Sequence, residues 1–129
     1  MDPNFALARE LWDGIALGDA PTLRSLLAEK CVWRLCGRSP LAGTYVGVDA
    51  ILDFMARVGE LTDELQSELL DVYVGENGGV IRYAIHATRG GQQLDTEQLF
   101  LFRSVDGRIV DAVLSNIDAY AYDRFFLPQ

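Results

Sequence analysis

The sequence contains few of the residues from which metal sites and disulfide frameworks are built. It has two cysteines and one histidine among 129 residues. Cys31 and Cys36 are five residues apart in a predicted strand, which would separate their Cα atoms by about 16 Å, too far for a disulfide bond. A zinc site would require a second cysteine pair or further histidines. We therefore expect no metal site. Two free thiols and the lack of a signal-peptide pattern predict a cytoplasmic protein.

Basic residues and long apolar runs are also scarce. The chain has 11 lysines and arginines against 19 acidic residues, which gives a net charge of −8. Nucleic acids and anionic membranes both attract basic surfaces, so we expect neither as a partner. No apolar run approaches the ~18 residues of a membrane span. With 50% hydrophobic residues, residues 1–129 are predicted to form a single domain whose partners are small molecules or proteins.

The first half of the chain has apolar residues at helical spacing and residues that are typical of helix ends. Apolar residues recur every three or four positions in a first predicted helix, which Asp2-Pro3 starts and Gly18 ends. A second helix is predicted after Asp19 and a third after Gly47. Between these two helices the pattern changes to that of a strand, Cys31–Cys36.

The second half of the chain has turn signals between long apolar-rich segments. Asn77-Gly78, Gly90-Gly91 and Asp106-Gly107 are typical of tight turns between antiparallel strands. The four strands predicted around these turns are Leu69–Gly75, Val80–Thr88, Leu94–Ser104 and Arg108–Asp118. The predicted fold class is α+β, with three N-terminal helices packed in a strongly curved antiparallel sheet that encloses an apolar interior.

Several segments are similar to those of one known superfamily. They are Val32-Trp33-Arg34, the loop from Gly37 to Gly47, Asp106-Gly107-Arg108-Ile109, and the ending from Asp118 to Phe126. Together with the element order they resemble the NTF2-like (cystatin-like) superfamily, a cone-shaped fold that includes ketosteroid isomerase, limonene epoxide hydrolase and the SnoaL polyketide cyclases. The similarity is closest to the SnoaL-like branch of bacterial proteins. This fold hosts many unrelated activities, so the resemblance implies a fold more than a reaction.

Two activities of the superfamily are disfavoured by the residues at the corresponding positions. Steroid isomerisation would need a carboxylate at the end of the first strand, where this chain has Leu35-Cys36. It would also need an aspartate in the third strand of the meander, near Leu99-Phe100. Epoxide hydrolysis would need a strand carboxylate where Ile85 and His86 stand. Strand alternation places His86 on the outer face, so we expect it at the surface or at a subunit interface.

Asp118, at the end of the last predicted strand, is the candidate catalytic residue. It matches an aspartate common in SnoaL-like proteins, and a buried carboxylate there would have a raised pKa suited to proton transfer. The competing interpretation is that Asp118 caps the C-terminal segment Ala119–Phe126. The candidate substrate-binding residues are Trp12, Trp33, Tyr45, Phe54, Tyr83, Glu97 and Asn116. The alternative interpretation of Glu97 is that it lies at an exposed strand end. The alternative for the aromatic residues on helices is that they are ordinary core residues.

The sequence thus predicts a protein that binds a small hydrophobic molecule inside the cone. If it is an enzyme, we expect isomerisation, cyclisation, dehydration or hydration by acid–base chemistry without a cofactor. We expect a homodimer through the outer face of the sheet, because the long strands carry apolar residues on both faces. The alternative is a non-catalytic dimeric interaction domain whose cavity is filled by side chains.

Overall fold

The structure is a computed structural model, and it describes residues 2–128. Within these residues the elements follow one another as α1 (Pro3–Leu17), α2 (Ala20–Leu26), β1 (Leu27–Leu35), β2 (Gly43–Val46), α3 (Val48–Glu60), β3 (Glu64–Gly75), β4 (Gly78–Arg89), β5 (Gln92–Val105), β6 (Arg108–Asn116) and α4 (Ala119–Phe125). The strands form one curved, unclosed sheet against which the helices pack, which is the predicted α+β fold. None of these helices is both long and apolar enough to cross a membrane.

The first two helices begin at the predicted capping residues, and the first also ends at the predicted glycine. The Asp2 carboxylate accepts a hydrogen bond from the backbone N–H of Asn4 at 2.8 Å, at the start of α1. Gly18 ends this helix with a φ of 62°, a left-handed conformation that glycine adopts without steric cost. Asp19 then caps α2 by accepting from the backbone N–H of Thr22 at 3.2 Å. Both starts are therefore set by local hydrogen bonding, as the sequence indicates.

The sheet has the strand order β2-β1-β6-β5-β4-β3. Strands β3 to β6 form the predicted antiparallel meander, and β1 pairs with β2 in antiparallel orientation. The pair β1 and β6 departs from the predicted antiparallel arrangement, because these two strands run parallel. Turn signals specify the relative direction only of strands that a tight turn joins, and β1 and β6 are separated by most of the chain.

Strands β1 and β3 begin four and five residues earlier than the sequence pattern predicts, and β4 and β5 each begin two residues earlier. β1 starts at Leu27 rather than Cys31, and β3 starts at Glu64 rather than Leu69. The first five residues of β3 are exposed, so they lack the alternation of buried and exposed positions on which the prediction rests. Backbone pairing with β4 nevertheless holds these residues in the sheet. They are exposed because β3 is an edge strand, which is paired on one side.

The β3–β4 hairpin lies where the Asn77-Gly78 signal predicts it, with a different register. Its turn residues are Glu76 and Asn77, and Gly75 pairs with Gly78. A Cβ atom on Gly78 would lie 2.0 Å from the carbonyl oxygen of Phe102 on the neighbouring strand β5. The close approach of two strands, rather than the geometry of the turn, therefore requires glycine at position 78.

The buried core lies between the inner face of the sheet and the helices. Alternation along β4 is as predicted, because Ile81, Tyr83, Ile85 and Ala87 are buried whereas His86 is exposed. The ring of His86 lies within 2.7 Å of an Asp95 carboxylate oxygen at the surface. Helix α4, which the sequence suggested only as a capped segment, packs against β5 and β6. The core is thus covered on one side by the sheet and on the other by all four helices.

Candidate functional site

The inner face of the sheet and the surrounding helices enclose a cavity of about 510 Å³. This volume is typical of sites that hold small molecules. Most of the lining is aliphatic or aromatic and includes Leu23, Trp33, Phe54, Ile85, Phe100 and Leu114. None of the lining residues, all of which belong to the described part of the chain, carries a charged side chain. The cavity is therefore an apolar site with a small number of neutral polar groups.

The cavity opens between the end of α1, the C-terminal half of α3 and the start of β3. The exposed lining residues at this mouth include Ala16, Ala56, Gly59, Leu65 and Ser67. Small side chains at the two helices leave room for a molecule to enter. The remaining lining residues are mostly buried, so a bound molecule would be withdrawn from water over most of its surface.

Three neutral polar side chains form a cluster in the buried lining: Tyr83 from β4, Gln98 from β5 and Tyr122 from α4. The Tyr83 hydroxyl donates to Gln98 Oε1. Gln98 Nε2 donates to Asn116 Oδ1 at 3.0 Å, and the Gln98 amide also interacts with the Tyr122 hydroxyl. The strand register explains the first two contacts, because Gln98 is paired with Tyr83 on one side and Asn116 on the other.

Burial makes both phenols of this cluster weaker acids than an exposed tyrosine. Loss of water around the charged form raises the pKa of Tyr83 and that of Tyr122 well above the usual range. The Gln98 amide lowers the pKa of Tyr122 in part and does not outweigh the effect of burial. Both hydroxyls therefore keep their protons at neutral pH and act as hydrogen-bonding groups rather than as bases.

Trp33 contributes a second buried polar atom to the lining. Its ring packs edge-on against Phe100 with the centroids 4.9 Å apart, and its indole Nε1 has no hydrogen-bond partner. The side chain interacts with the thiol of Cys31, two residues earlier on the same face of β1. Burial raises the pKa of the Cys31 thiol to about 11, and the indole offsets this shift only in part. Cys31 is consequently a protonated core residue and a poor nucleophile.

The five aromatic candidates for substrate binding are all in or beside the cavity. Trp33, Phe54 and Tyr83 line it. Trp12 packs on Tyr83 with ring centroids 5.0 Å apart, and Tyr45 packs on Phe54 with centroids 4.5 Å apart. Neither of these two residues reaches the lining, so Trp12 and Tyr45 support the wall of the cavity from behind.

The two polar candidates on β5 and β6 occupy different surroundings. Glu97 lies on the outer face of the sheet, where its Oε1 is 2.7 Å from Nε of Arg82. Hydrogen bonding by Arg82 lowers the pKa of Glu97 below its usual value, so this carboxylate is ionised and outside the cavity. Asn116 is not part of the lining either, but it accepts the hydrogen bond from Gln98 and so holds the carboxamide of that residue in place.

Asp118 lies outside the cavity and caps helix α4. It is exposed, and its Oδ1 accepts a hydrogen bond from the backbone N–H of Ala121 at 3.0 Å. Strand β6 ends at Asn116, so the alternation that would have directed residue 118 inward stops two residues earlier. Of the two interpretations of Asp118, the geometry is that of the helix cap.

Gln98 and Tyr122 are the site residues that sequence reasoning missed. Gln98 is only 4% exposed and lies on the same face of β5 as Phe100 and Phe102. Its alternation with these two aromatics was the available signal. Tyr122 is one turn before Phe126 in the C-terminal segment, and both residues line the cavity. Among residues 2–128, no three histidine, cysteine or acidic side chains are grouped so that they could hold a metal ion.

The curved sheet with its packed helices is an NTF2-like (cystatin-like) fold, and comparison with known proteins identifies the family. The chain belongs to the SnoaL-like domain family, which matches residues 8–112. It is 29% identical over 127 residues, 97% of both chains, to the uncharacterized protein Rv0034 of Mycobacterium tuberculosis. It is similar to the structure of Bal32a from a soil-derived mobile gene cassette, with 31% identity, 96% coverage of both chains and a TM-score of 0.90. An NTF2-like protein from Burkholderia pseudomallei shares the fold at 20% identity, covering 99% of this chain and 100% of its own, with a TM-score of 0.87.

Proposed function

We propose that this protein, acting as a single domain of 129 residues, binds a small, uncharged and largely apolar molecule in its central cavity. Membership of the SnoaL-like family supports a ligand-binding or cyclase-like role. The observation that carries the finer proposal is the lining of the cavity, which is apolar and contains no charged side chain. An ionised ligand group would lose its hydration there without a countercharge, at a cost of several kcal/mol.

Binding is favoured over acid–base catalysis by the placement of the acidic residues. The candidate Asp118 is exposed and occupied as a cap, and Glu97 is paired with Arg82 on the outer face. No residue of the lining is a carboxylate or an imidazole, the groups that most often transfer protons in enzymes. The open volume also disfavours the alternative of an interaction domain with a filled cavity, since such a domain would have no space of about 510 Å³.

The experiment uses two fluorescent probes that share one aromatic skeleton and differ in charge. N-phenyl-1-naphthylamine is neutral, and its 8-sulfonate is an anion. We expect saturable binding of the neutral probe with one site per chain, and at least about 10-fold weaker binding of the sulfonate, because the cavity offers no cation. Absence of saturable binding of the neutral probe would contradict the proposal and favour the interaction domain.

A pair of variants tests whether the probe occupies the cavity. Ala56 is exposed at the mouth, and Ala119 is an exposed alanine at the start of α4 outside the lining. Ala56→Trp should place an indole across the entrance and weaken binding of the neutral probe by about 10-fold or more, as the indole and the probe would compete for the same space. Ala119→Trp is the matched control and should bind as the unaltered protein does. Equal binding by both variants would place the probe elsewhere.

We further propose that the protein is a homodimer that associates through the outer face of its sheet. Tyr73 on β3, and Leu101 and Val105 on β5, are 47%, 54% and 49% exposed. Leu101 is flanked on the adjacent strands by Val80 and Val113. Apolar surface of this kind on a sheet face is typical of an interface between subunits. A cytoplasmic location is proposed as well, supported by the two free thiols at Cys31 and Cys36.

A further inference from the structure

One buried polar atom in the lining of the cavity has no partner in the protein. The indole Nε1 of Trp33 makes no hydrogen bond within residues 2–128, and Trp33 is 2% exposed. The side chain interacts with the thiol of Cys31, but sulfur is a weak acceptor and the contact does not have the geometry of a hydrogen bond. A buried N–H group without an acceptor is destabilising, so this atom requires an explanation.

The strand register places Trp33 at the end of the cavity opposite the mouth. Through the pairing of β1 with β6, β6 with β5 and β5 with β4, Trp33 is level with Gly79 on β4. Leu65, at the mouth, pairs with Ala87 on the same strand. These two levels are eight residues apart, which is about 26 Å along a strand. We call the part of the cavity at Trp33 the closed end.

The surroundings of Trp33 at the closed end are apolar. Its ring packs on Phe100, and its neighbours on the same face of β1 are Cys31 and Leu35, which are buried. A water molecule beside the indole would have too few polar partners there to be held in place. An oxygen atom that belongs to an apolar ligand needs no further polar partner, because the rest of the ligand contacts the apolar lining.

We propose that the indole N–H of Trp33 donates a hydrogen bond to a carbonyl oxygen at the inner end of the ligand, and that the cavity thereby selects apolar molecules that end in a ketone, aldehyde or ester group. This inference rests on the proposed function, since it concerns the same cavity. An indole is a donor only, so a hydroxyl or amine proton of a ligand would find no strong acceptor beside it. A carbonyl oxygen accepts without requiring an acceptor in return, and a ligand without one would leave the indole proton unsatisfied.

A matched pair of ligands isolates this single hydrogen bond. 2-Acetylnaphthalene and 2-isopropenylnaphthalene have nearly the same shape, and they differ by the exchange of a carbonyl oxygen for a methylene group. Their dissociation constants are measured by displacement of N-phenyl-1-naphthylamine from the unaltered protein and from Trp33→Phe. We expect Trp33→Phe to reduce the preference for the ketone over the alkene by about 3- to 10-fold, the effect of one net hydrogen bond.

The second tryptophan of the chain provides the matched control. Trp12 packs on Tyr83 and is not part of the lining. Whatever Trp12→Phe does to the overall affinity, the preference for the ketone over the alkene should be that of the unaltered protein. An equal change of this preference in Trp12→Phe and Trp33→Phe would overturn the assignment, because it would reflect a general loosening of the cavity.

The indole proton can also be observed directly, because the chain contains two tryptophans. A nitrogen–proton NMR correlation spectrum therefore has two indole signals, and the one that remains in Trp12→Phe belongs to Trp33. The ring current of the bound naphthalene acts alike in the two complexes, so the difference between them reports the hydrogen bond. We expect the Trp33 indole proton at lower field in the ketone complex than in the alkene complex, and equal positions would refute the proposal.

The outcomes separate this inference from the proposed function. If both naphthalenes displace the probe and the preference for the ketone is the same in Trp33→Phe, the cavity binds apolar molecules and the selection by Trp33 is refuted. If N-phenyl-1-naphthylamine itself does not bind, the proposed function fails and this inference fails with it. Should Trp33→Phe not fold, the position of the Trp33 indole proton in the two complexes decides.

Discussion

Glu97 and Gln98 are neighbours on β5 whose side chains have opposite surroundings. Glu97 is half-exposed on the outer face and forms an ion pair with Arg82, whereas Gln98 is buried in the lining of the cavity. Strand geometry explains the difference, because successive side chains point to opposite faces of a sheet. A charged residue is tolerated at position 97, where water and Arg82 surround it. At position 98 a neutral amide is stabilised by hydrogen bonds on both sides.

The role of Asp118 as a helix cap leads to a prediction about stability. Asp118→Ala should lower the free energy of unfolding by about 1 kcal/mol, because the backbone N–H of Ala121 loses its acceptor. Asp118→Asn should stay within a few tenths of a kcal/mol, as asparagine caps helices about as well. Urea unfolding measures both. Equal stability of the alanine variant and the unaltered protein would argue against the cap, and turnover that Asp118→Asn abolishes would restore the catalytic interpretation.

The buried phenols predict a loss of stability at alkaline pH. The pKa of Tyr122 in the folded protein is raised by burial above its ordinary value of 10.0. Above pH 10 the unfolded chain therefore releases a proton that the folded chain retains, and the free energy of unfolding falls as pH rises. The contribution of one such residue is at most about 1.4 kcal/mol per pH unit.

Variants of two tyrosines on α4 test this contribution. Tyr122→Phe should make the alkaline decline of the unfolding free energy shallower, while Tyr120→Phe, at an exposed position, should not. Urea unfolding at a series of pH values from 8 to about 11.5 gives the slopes, which span the ordinary tyrosine pKa. Identical slopes in the two variants would mean that Tyr122 titrates like an exposed tyrosine.

At the level of secondary-structure elements, α4 is stabilised by its own cap and held to the rest of the fold by two sets of hydrogen bonds. Asp118 caps its first turn. The Asp123 carboxylate accepts hydrogen bonds from the backbone N–H groups of Arg38 and Ser39 at 3.0 and 3.1 Å. The Arg89 guanidinium donates to the carbonyl oxygens of Phe125 and Leu127 at 3.0 and 2.8 Å, beyond the last turn. A helix of seven residues is only marginally stable by itself. These contacts therefore stabilise α4 and hold Tyr122 over the cavity.

The β3–β4 hairpin gives a prediction at the same scale. Gly78→Ala should lower the free energy of unfolding by about 1–3 kcal/mol or more, because the added methyl group would meet the carbonyl oxygen of Phe102. Gly75, its partner across the turn, has nothing within 4 Å of the corresponding position. Gly75→Ala should therefore be neutral or slightly stabilising, since alanine restricts the unfolded chain. Thermal unfolding compares the two variants, and an equal loss in both would contradict the steric explanation.

For the whole molecule, the outer face of the sheet decides between a monomer and a dimer. The apolar residues near Leu101 are bordered by ion pairs, among them Arg82 with Glu97 and Arg103 with Asp111. An apolar centre with a polar border is the usual composition of a protein interface. In a dimer the inner face of each sheet would bind the ligand and the outer face would bind the second subunit.

We accordingly predict a mass of about twice 14.3 kDa in solution, measurable by light scattering. Leu101→Glu should shift the protein to the monomer, because two carboxylates would be brought together at a desolvated interface. Leu17→Glu introduces the same change at an 80% exposed leucine at the end of α1 and should leave the mass unchanged. A mass of one chain at all concentrations of the unaltered protein would contradict the proposed homodimer.

Much of the fold is predictable because its signals are local. Aspartate caps and Gly18 mark the ends of α1 and α2 through hydrogen bonds and backbone sterics that span four residues or fewer. The β4 side chains that face the core could be predicted because side chains alternate strictly along a strand. The site is less predictable because its polar groups come from separate elements. Tyr83, Gln98 and Tyr122 each look like ordinary strand or helix residues until β4, β5 and α4 are brought together.

The sequence by itself determined the α+β class, the capped helices, the meander and an apolar interior, since each depends on neighbouring residues or on the period of one element. Only the tertiary structure decided that β1 runs parallel to β6, that β6 ends before Asp118, and that Gln98 and two tyrosines line the same cavity. These outcomes depend on contacts between residues distant in the chain, and the free energy of such contacts is a property of the packed molecule rather than of any segment.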